Sequence, residues 1–283
     1  MEGANENSGE RFDVRALSGL TRLFQFFLRY GNPVEILWQR RFNPKGRMEI
    51  VDRATGLRFT CTVASYPMFA EIWHDHDYDI PQIPLRPGDT VLDIGANQGF
   101  FACSAAWSGA TVFAAEPVPA LLATLEANVK AAGLADRVTA LGCGVSDTDG
   151  EVVMVLNDFL GGGMGSIVPG FAEKMGIPAT GQIKAPVKTF RRILDENKIG
   201  HIRLCKLDCE GAEYAIIKSI DPATAARIDA FVIEYHWAAY EVGDLVRHLL
   251  SWGTHQISYA EDKYCERNIL RAVRNDLLVP KKG

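Results

Sequence analysis

Hydrophobic and polar residues change their spacing after Pro81, Pro84 and Pro87-Gly88, and from there the chain alternates between short apolar runs and stretches with helical spacing. The apolar runs predict the strands Thr90–Ile94, Thr111–Ala115, Val138–Gly142, Arg203–Leu207, Ala230–Glu234, Gln256–Tyr259 and Ile269–Arg274. The predicted helices between them are Phe100–Ser108, Pro119–Ala132, Gly211–Ser219 and Val242–Trp252. Strands separated by helices pair mostly in parallel, and the helices cover both faces of the sheet. The pattern therefore predicts an α/β domain with a seven-stranded, mostly parallel sheet.

The residues before this domain have a different pattern. Apolar residues at helical spacing predict two helices, and two short alternating runs around a turn predict a hairpin. These elements are the helices Phe12–Tyr30 and Val34–Arg41 and the hairpin strands Met48–Val51 and Leu57–Val63. We therefore divide the chain into an appendage, residues 1–77, and a main domain, residues 78–283. The appendage is interpreted as a lid or substrate region, and we expect the apolar face of its first helix to pack on the core or to cover the site.

The main domain contains an insertion between its third and fourth strands. It runs from about Glu151 to Asn197 and holds one further predicted strand, Glu151–Leu156. A glycine-rich segment, Gly161–Ser166, follows that strand. Long loops of this kind are often functional, so we expect a flexible element beside the site.

Composition narrows the class of protein. With 47% apolar and 23% charged residues, the 283-residue chain resembles an ordinary folded globular protein. Its net charge of −5 disfavours non-specific nucleic-acid binding, and its six cysteines lack the spacing of a zinc site. No apolar run approaches the roughly 20 residues that span a bilayer, and the first residues lack the order of a signal peptide. The sequence therefore predicts a cytoplasmic protein with reduced thiols.

The mild net charge hides a split along the chain. Residues 1–58 carry ten basic and seven acidic side chains, a net charge of +3, which leaves −8 for the remaining residues. The basic side chains of the appendage either lie in solvent or attract an anionic acceptor, and both alternatives stay open.

The first chemical motif begins at the end of the first main-domain strand. Asp93, Gly95, Asn97 and Gly99 follow one another at intervals of two residues. The glycines allow a ligand to approach the backbone closely. The Gly-x-Gly-x-x-Gly pattern of dinucleotide-binding proteins is absent, since Asn97 and Phe100 occupy two of its glycine positions. We expect Asp93 and the backbone at Gly95 to hold a ligand ammonium instead.

Glu116 ends the next strand and precedes Pro117. An acid at the end of the second strand of such a sheet can accept hydrogen bonds from both hydroxyls of a ribose. The alternative is that Asp93 and Glu116 only cap neighbouring helices. Together the two acids favour a nucleoside cofactor.

The second motif is the run from Lys206 to Glu213, which ends the fourth strand and opens a helix. Asp208 and Glu210 should point to the same carboxyl edge of the sheet as Gly95. Several buried charges at one edge require a shared proton, donor or cation. Glu210 and Glu213 can alternatively serve the helix N-terminus, where acids are favoured.

These two motifs resemble class I S-adenosylmethionine-dependent methyltransferases. The run Asp93–Gly99 is similar to the Asp-x-Gly-Ala-Asn-x-Gly motif of one subgroup, the FkbM family, and the run Lys206–Glu213 is similar to that family's Lys-x-Asp-x-Glu-Gly-Ala-Glu hallmark. The strand end Val232–His236 also resembles the family. The chain departs from the family at Phe190 and Arg191, where Leu and Asp are usual. The resemblance extends from about Tyr78 to Glu234.

The resemblance implies a Rossmann-like fold and an EC 2.1.1-type enzyme of secondary metabolism. It implies methyl transfer from S-adenosylmethionine, with S-adenosylhomocysteine as product, to a hydroxyl of a small molecule, natural product or glycan. The residues assigned to the cofactor are Tyr78, Asp93, Gly95, Asn97, Gly99, Glu116, Pro117, Ser146 and Asp208, with Val145 as an alternative to Ser146 beside the adenine. The residues assigned to catalysis are Lys206, Asp208, Glu234 and His236. The near-neutral usual pKa of histidine favours His236 as general base, although a packing role stays open.

Several alternatives remain at this point. No metal is assigned, yet Asp208, Glu234 and His236 have the ligand types for a divalent ion. The acceptor atom could be nitrogen or carbon. A non-catalytic nucleoside-binding protein of the same fold is a further alternative, and the missing glycine pattern weakens a nicotinamide-dependent oxidoreductase. We expect a monomer or homodimer and no nucleic-acid partner.

Overall fold

The computed structural model describes residues 19–157, 164–168, 170–176, 178–259 and 268–278. Seven strands in this part of the chain form the main sheet, in the spatial order β12-β13-β11-β10-β3-β4-β5. They are β3 (Thr90–Ile94), β4 (Thr111–Ala115), β5 (Val138–Leu141), β10 (Leu204–Leu207), β11 (Ala230–Glu234), β12 (His255–Tyr259) and β13 (Ile269–Arg274). Only β13 is antiparallel to its neighbours. The predicted Rossmann-like, mostly parallel sheet is confirmed.

Helices cover both faces of this sheet because alternate strand residues point to opposite sides. Val91 and Val112 belong to one buried cluster, together with residues of α4 and α5. Leu92 and Ile94 belong to another, with residues of α7, α8 and α10. The helices of the described residues are α1 (Gly19–Arg29), α2 (Pro33–Phe42), α3 (Tyr66–Trp73), α4 (Phe100–Trp107), α5 (Pro119–Ala131), α6 (Phe171–Lys174), α7 (Phe190–Glu196), α8 (Glu213–Ser219), α9 (Pro222–Ala225) and α10 (Val242–Ser251).

The insertion forms a second sheet with the order β6-β9-β7-β8. Its strands are β6 (Gly144–Ser146), β7 (Gly150–Asn157), β8 (Met164–Ser166) and β9 (Ala179–Thr189). The sequence predicted only the strand at β7. The longest strand, β9, was missed because it is largely exposed and contains Gly181 and Pro186, which weaken a strand pattern. Residues 161–163 of the glycine-rich segment lie outside the described residues.

The appendage hairpin packs on the main domain through α5. Its strands are β1 (Arg47–Val51) and β2 (Arg58–Thr62). The Thr60 amide donates to Asn128 Oδ1 at 2.8 Å, and Asn128 Nδ2 donates to the Thr60 carbonyl at 3.1 Å. Phe59 and Phe69 join the buried cluster that contains Phe100. Helix α3, which follows the hairpin, was not predicted.

Helix α1 corrects one expectation about the appendage. Leu23, Phe24 and Phe27 were expected to pack on the core or to cover the site, but they are 46%, 63% and 39% exposed. The inward contacts are made instead by Phe26 and Tyr30, whose ring centroids lie 4.7 Å apart. The first residues of the predicted helix, 12–18, lie outside the described residues. No helix in the described ranges is long and apolar enough to cross a membrane.

Candidate active site

A cleft opens at the carboxyl edge of the main sheet, where β3, β4 and β10 end. It encloses about 660 Å³, including space open to solvent, which is in the range of small-molecule sites. Both sequence motifs contribute to its lining. The polar and glycine residues that line it are Gly95, Asn97, Glu116, Gly144, Gly165, Asp208, Cys209 and Glu210.

The turn between β3 and α4 requires its two glycines. Gly95 has φ of +79°, and a Cβ there would lie 1.8 Å from the carbonyl oxygen of Asp208. Gly99 has φ of +83°, and its Cβ would lie 2.9 Å from the Leu125 side chain. Asn97 also adopts a positive φ of 50°, and its buried Oδ1 has no hydrogen-bond partner among the described residues. The turn therefore presents a polar atom to the cleft.

Glu116 lies at the base of the cleft and is only 4% exposed. Its Oε2 accepts from the Asn97 amide and its Oε1 accepts from the Val118 amide, both at 2.8 Å. Burial raises the pKa of Glu116 to about 7, although the two amide donors oppose the shift. The structure thus fixes the orientation of this carboxylate at the end of β4. Pro117 lines the cleft beside it.

Lys206 joins the two motifs beneath the cleft. Lys206 and Asp93 are register partners on the adjacent strands β10 and β3, which directs both side chains to one face. Lys206 Nζ lies 3.3 Å from Asp93 Oδ1, 3.3 Å from Asp208 Oδ2 and 3.2 Å from the Gly95 carbonyl oxygen. Burial disfavours its charge, but the carboxylates of Asp93 and Asp208 outweigh burial and raise the pKa of Lys206. Asp93 is completely buried, whereas Asp208 lines the cleft.

Tyr78 and Glu234 form a hydrogen-bonded pair next to Asp208. The Tyr78 hydroxyl donates to Glu234 Oε2 at 2.5 Å and lies 3.3 Å from Asp208 Oδ2. Burial and then the neighbouring charge of Asp208 raise the pKa of Glu234 to about 7. Burial also raises the pKa of Tyr78 far above its usual value, so the phenol stays protonated. With its single hydroxyl proton, Tyr78 donates to Glu234 and has Asp208 within reach as the alternative acceptor.

Glu213 organises the far side of the cluster and is completely buried. Its Oε1 accepts from the amides of Cys209 and Gly211 at 2.9 and 3.1 Å, and its Oε2 accepts from the Tyr240 hydroxyl at 3.0 Å. The same Oε1 lies 3.0 Å from His236 Nδ1. Burial opposes ionisation, but His236 and the amide donors outweigh it and lower the pKa of Glu213. Glu213 is thus an anionic anchor rather than a simple helix cap.

His236 lies between two carboxylates. Its Nε2 is 3.6 Å from Glu210 Oε2, opposite the Glu213 contact at Nδ1. Burial alone would lower its pKa, but Glu213 and Glu210 raise the pKa of His236 to about 10. Burial raises the pKa of Glu210 to about 8. Near neutral pH the ring is therefore protonated and donates hydrogen bonds, which disfavours general-base catalysis by His236 in this state.

The remaining predictions concern a candidate metal site and the residue beside the adenine. Asp208, Glu234 and His236 bring one ligand atom each to within 4.8 Å of one another, so they are close enough to share a divalent ion. Of the alternatives near the adenine position, Val145 lines the cleft, while Ser146 is buried and hydrogen-bonds to Asp147 at 3.1 Å. No observation tests the roles assigned to these residues, which stay predictions.

The apolar wall of the cleft could not be predicted from the sequence. Met68 reaches it from α3, Leu121 from α5, and Met154 and Ile167 from the insertion. These residues come from distant segments with no shared motif. Glu213, which holds His236, and Tyr240, which donates to Glu213, were also not assigned to the site. Only the spacing of Glu213 after Lys206 offered a signal for it.

A family model described as the methyltransferase FkbM domain matches residues 93–256, more than half of the chain. The chain belongs to the FkbM methyltransferase family. The 31-O-demethyl-FK506 methyltransferase FkbM of Streptomyces tacrolimicus is 30% identical over 215 residues, which cover 66% of this chain and 80% of that protein. Methyltransferase sdnD of Sordaria araneosa is 28% identical over 180 residues, which cover 54% of this chain and 68% of that protein. The resemblance seen in the two motifs is confirmed.

Solved structures show a looser likeness. The crystal structure of a methyltransferase FkbM from Methylobacillus flagellatus has 17% identity and a TM-score of 0.46. The match covers 70% of this FkbM-family chain and 49% of that one, so this chain spans about half its length. TrmK of M. capricolum, solved with S-adenosylhomocysteine, has 11% identity, a TM-score of 0.41 and coverage of 68% and 64%.

Proposed function

We propose that this protein is an S-adenosylmethionine-dependent methyltransferase that methylates a hydroxyl of a small molecule, natural product or glycan. The observation that carries the cofactor is the fixed carboxylate of Glu116 at the base of a cleft in an FkbM-family chain. The printed name of one relative, a 31-O-demethyl-FK506 methyltransferase, supports an oxygen acceptor on a natural product.

The residues of the cleft fit a nucleoside with an amino-acid tail. Glu116 retains lone pairs for both ribose hydroxyls after accepting from two amides. Asn97 Oδ1 is buried and has no hydrogen-bond partner in the described part of the chain. It can therefore accept a hydrogen bond from a further donor on the ligand. Gly95 lines the cleft where the cofactor tail would lie, and Val145 offers an apolar contact for the adenine. Ser146, Pro117, Gly99 and Tyr78 remain assigned to cofactor binding as part of this proposal. Asp93 is completely buried and paired with Lys206, which also donates to the Gly95 carbonyl, so Asp93 would support the glycine turn instead of holding the ligand ammonium.

When bound, S-adenosylmethionine would supply an electrophilic methyl group. The protein must then position an acceptor hydroxyl and remove its proton. We assign proton removal to Asp208, which lines the cleft, and the orientation of its carboxylate to Lys206 and Tyr78. Glu234 is a second proton acceptor beside Asp208, since its pKa of about 7 suits proton transfer near neutrality. Protonated His236, whose two N–H groups face Glu213 and Glu210, would balance charge as the proton leaves.

The appendage, residues 1–77, remains part of the proposal as the substrate region of the enzyme. Met68 of α3 supports this, because its side chain lines the cleft from the appendage. The 3₁₀ turn Val63–Ser65 precedes α3, and Gln98 of the glycine turn donates to Ser65 Oγ at 2.6 Å. In this proposal the acceptor enters beside α3, and the residues just before α3 contact the turn between β3 and α4.

The proposal is tested first by ligand binding. We expect S-adenosylmethionine and S-adenosylhomocysteine to raise the unfolding temperature and NAD to leave it unchanged. Stabilisation by NAD alone would contradict the proposed cofactor. An acceptor screen with methyl-labelled donor then identifies the substrate, and product analysis shows whether oxygen, nitrogen or carbon carries the label. Binding without transfer to any acceptor class would favour the non-catalytic alternative.

A further inference from the structure

The exposed apolar side chains of the molecule are concentrated in its first two helices. Twelve large hydrophobic residues of the described chain are exposed, and eight of them lie between residues 23 and 42. They are Leu23, Phe24, Phe27 and Leu28 of α1 and Val34, Leu37, Trp38 and Phe42 of α2. We call these eight residues the α1–α2 surface. Single exposed apolar residues are ordinary, whereas eight within a stretch of 20 residues favour an interaction site.

Helix α1 presents its apolar side to solvent. Leu23, Phe24, Phe27 and Leu28 recur at the spacing of one helix face and are all exposed. Gln25 and Phe26, on the opposite side of the helix, are partly buried, and Phe26 packs against the core. A helix that only covers a core would be oriented the other way.

Helix α2 repeats the arrangement. Val34, Trp38 and Phe42 are four residues apart, so they form one stripe, and they are 68%, 54% and 66% exposed. The rings of Trp38 and Phe42 have centroids 5.9 Å apart. The Arg41 guanidinium lies over the Phe42 ring at 5.4 Å. Aromatic rings beside arginines on one helix are typical of segments that lie in a membrane interface.

The charge around these helices is strongly positive. Residues 19–58 contain eight Lys and Arg against three Asp and Glu, a net charge of +5 in a chain whose total is −5. Arg41 and Lys45 are exposed and form no ion pair with a carboxylate of the described residues, while the Arg40 guanidinium lies over the Tyr66 ring at 4.3 Å. The charges of Arg41 and Lys45 are therefore available to an anionic partner.

We propose that the α1–α2 surface docks the enzyme onto a lipid bilayer rich in anionic phospholipid, with α1 and α2 lying in the interface. The apolar side chains would enter the acyl boundary while the arginines and lysine contact phosphate groups. A symmetric dimer through the same surface is disfavoured, because it would place two segments of charge +5 against each other. This inference does not depend on the methyl acceptor or on the cofactor.

The test is co-sedimentation of the full chain with sucrose-loaded vesicles. We expect binding to vesicles that mix phosphatidylcholine and phosphatidylglycerol, and little binding to phosphatidylcholine alone. The surface variant Phe24→Glu/Trp38→Glu/Phe42→Glu should lower the partition coefficient at least about tenfold, because each aromatic ring loses its buried area. The control variant Val153→Glu/Trp237→Glu/Leu250→Glu removes three exposed apolar residues outside the α1–α2 surface and adds the same charge. This control carries the same added charge as the surface variant but keeps the α1–α2 surface intact. Its partition coefficient should therefore stay within about twofold of that of the parent chain.

A charge variant protects the test against misfolding. Arg41→Gln/Lys45→Gln alters only exposed polar groups, and we expect about a fivefold loss of binding to anionic vesicles for each charge removed. Failure of the parent chain to bind anionic vesicles would overturn the proposal, as would equal losses in the surface and control variants. A dimer in light scattering that the surface variant dissociates, without vesicle binding, would instead assign the surface to contact between copies.

Discussion

Replacement of Glu116 by Gln tests the proposed cofactor site with the least change in shape. Each oxygen of Glu116 accepts from one backbone amide, Asn97 at one and Val118 at the other. An amide side chain has only one oxygen, so one backbone amide must face an NH₂ group. We expect the buried mismatch to destabilise the fold by about 1–3 kcal/mol. It also removes the negative charge that would accept the ribose hydroxyls.

The effect on ligand affinity follows from the same contacts. Loss of one charge-assisted hydrogen bond costs about 1.5–3 kcal/mol, which corresponds to about a 10- to 150-fold weaker affinity for S-adenosylhomocysteine. The pKa of about 7 adds a signature, since protonation of Glu116 should weaken binding by the parent chain below pH 7. Titration calorimetry between pH 5.5 and 8.5 measures both effects. Glu126→Gln, on the exposed side of α5, is the matched control. Unchanged affinity and pH profile in Glu116→Gln would refute a ribose contact.

Further predictions concern the glycine turn, the carboxylate cluster and its protonation. Gly95→Ala should lower the free energy of unfolding in denaturant titration by about 2–4 kcal/mol, through its positive φ and the clash with Asp208. Gly133→Ala, which has φ of +68° but nothing within 4 Å, should cost only about 1–2 kcal/mol. Asp208→Asn should slow methyl transfer about 10²–10⁴-fold, while the affinity for S-adenosylhomocysteine stays unchanged. EDTA should leave the rate of transfer unchanged. A rate that depends on added metal would instead assign an ion to Asp208 and Glu234. The pKa of His236 is raised, so its contribution to stability is fully present below pH 6.5 and lost as pH rises through about 10. We therefore expect the unfolding temperature to fall between pH 7 and 10, and less steeply in His236→Gln.

The strands of the main sheet could be predicted because burial on both faces leaves an unbroken apolar run. Thr90–Ile94 and Ala230–Glu234 have the predicted bounds. Strand β9 could not be predicted, since its residues are mostly exposed and only pairing with β7 holds them extended. The outward orientation of α1 was also beyond the sequence. Helical spacing shows that a helix has an apolar face, but not what that face meets.

The motifs were enough to place the site at the carboxyl edge of the sheet. They could not predict the protonation states of its side chains. A usual histidine pKa favoured His236 as a base, and only the contact with buried Glu213 reverses that interpretation. In the same way, Asp93 and Asp208 look equivalent in sequence. Register pairs Asp93 with Lys206 inside the sheet, while Asp208 follows the last residue of β10 and reaches the cleft.

The balance of charge at this edge links the fold to the proposed chemistry. Lys206 is paired with Asp93 and Asp208, and protonated His236 is paired with Glu210 and Glu213, so two cations face four carboxyl groups. The carboxyl group of Glu234 accepts a hydrogen bond from the uncharged hydroxyl of Tyr78. Burial with too few cations raises the pKa values of Glu210 and Glu234 to about 8 and 7. A cationic ligand would lower both pKa values and release protons as it binds. The sulfonium of S-adenosylmethionine carries such a charge and the thioether of S-adenosylhomocysteine does not, so under the proposed function we expect the cluster to favour the methyl donor over its product.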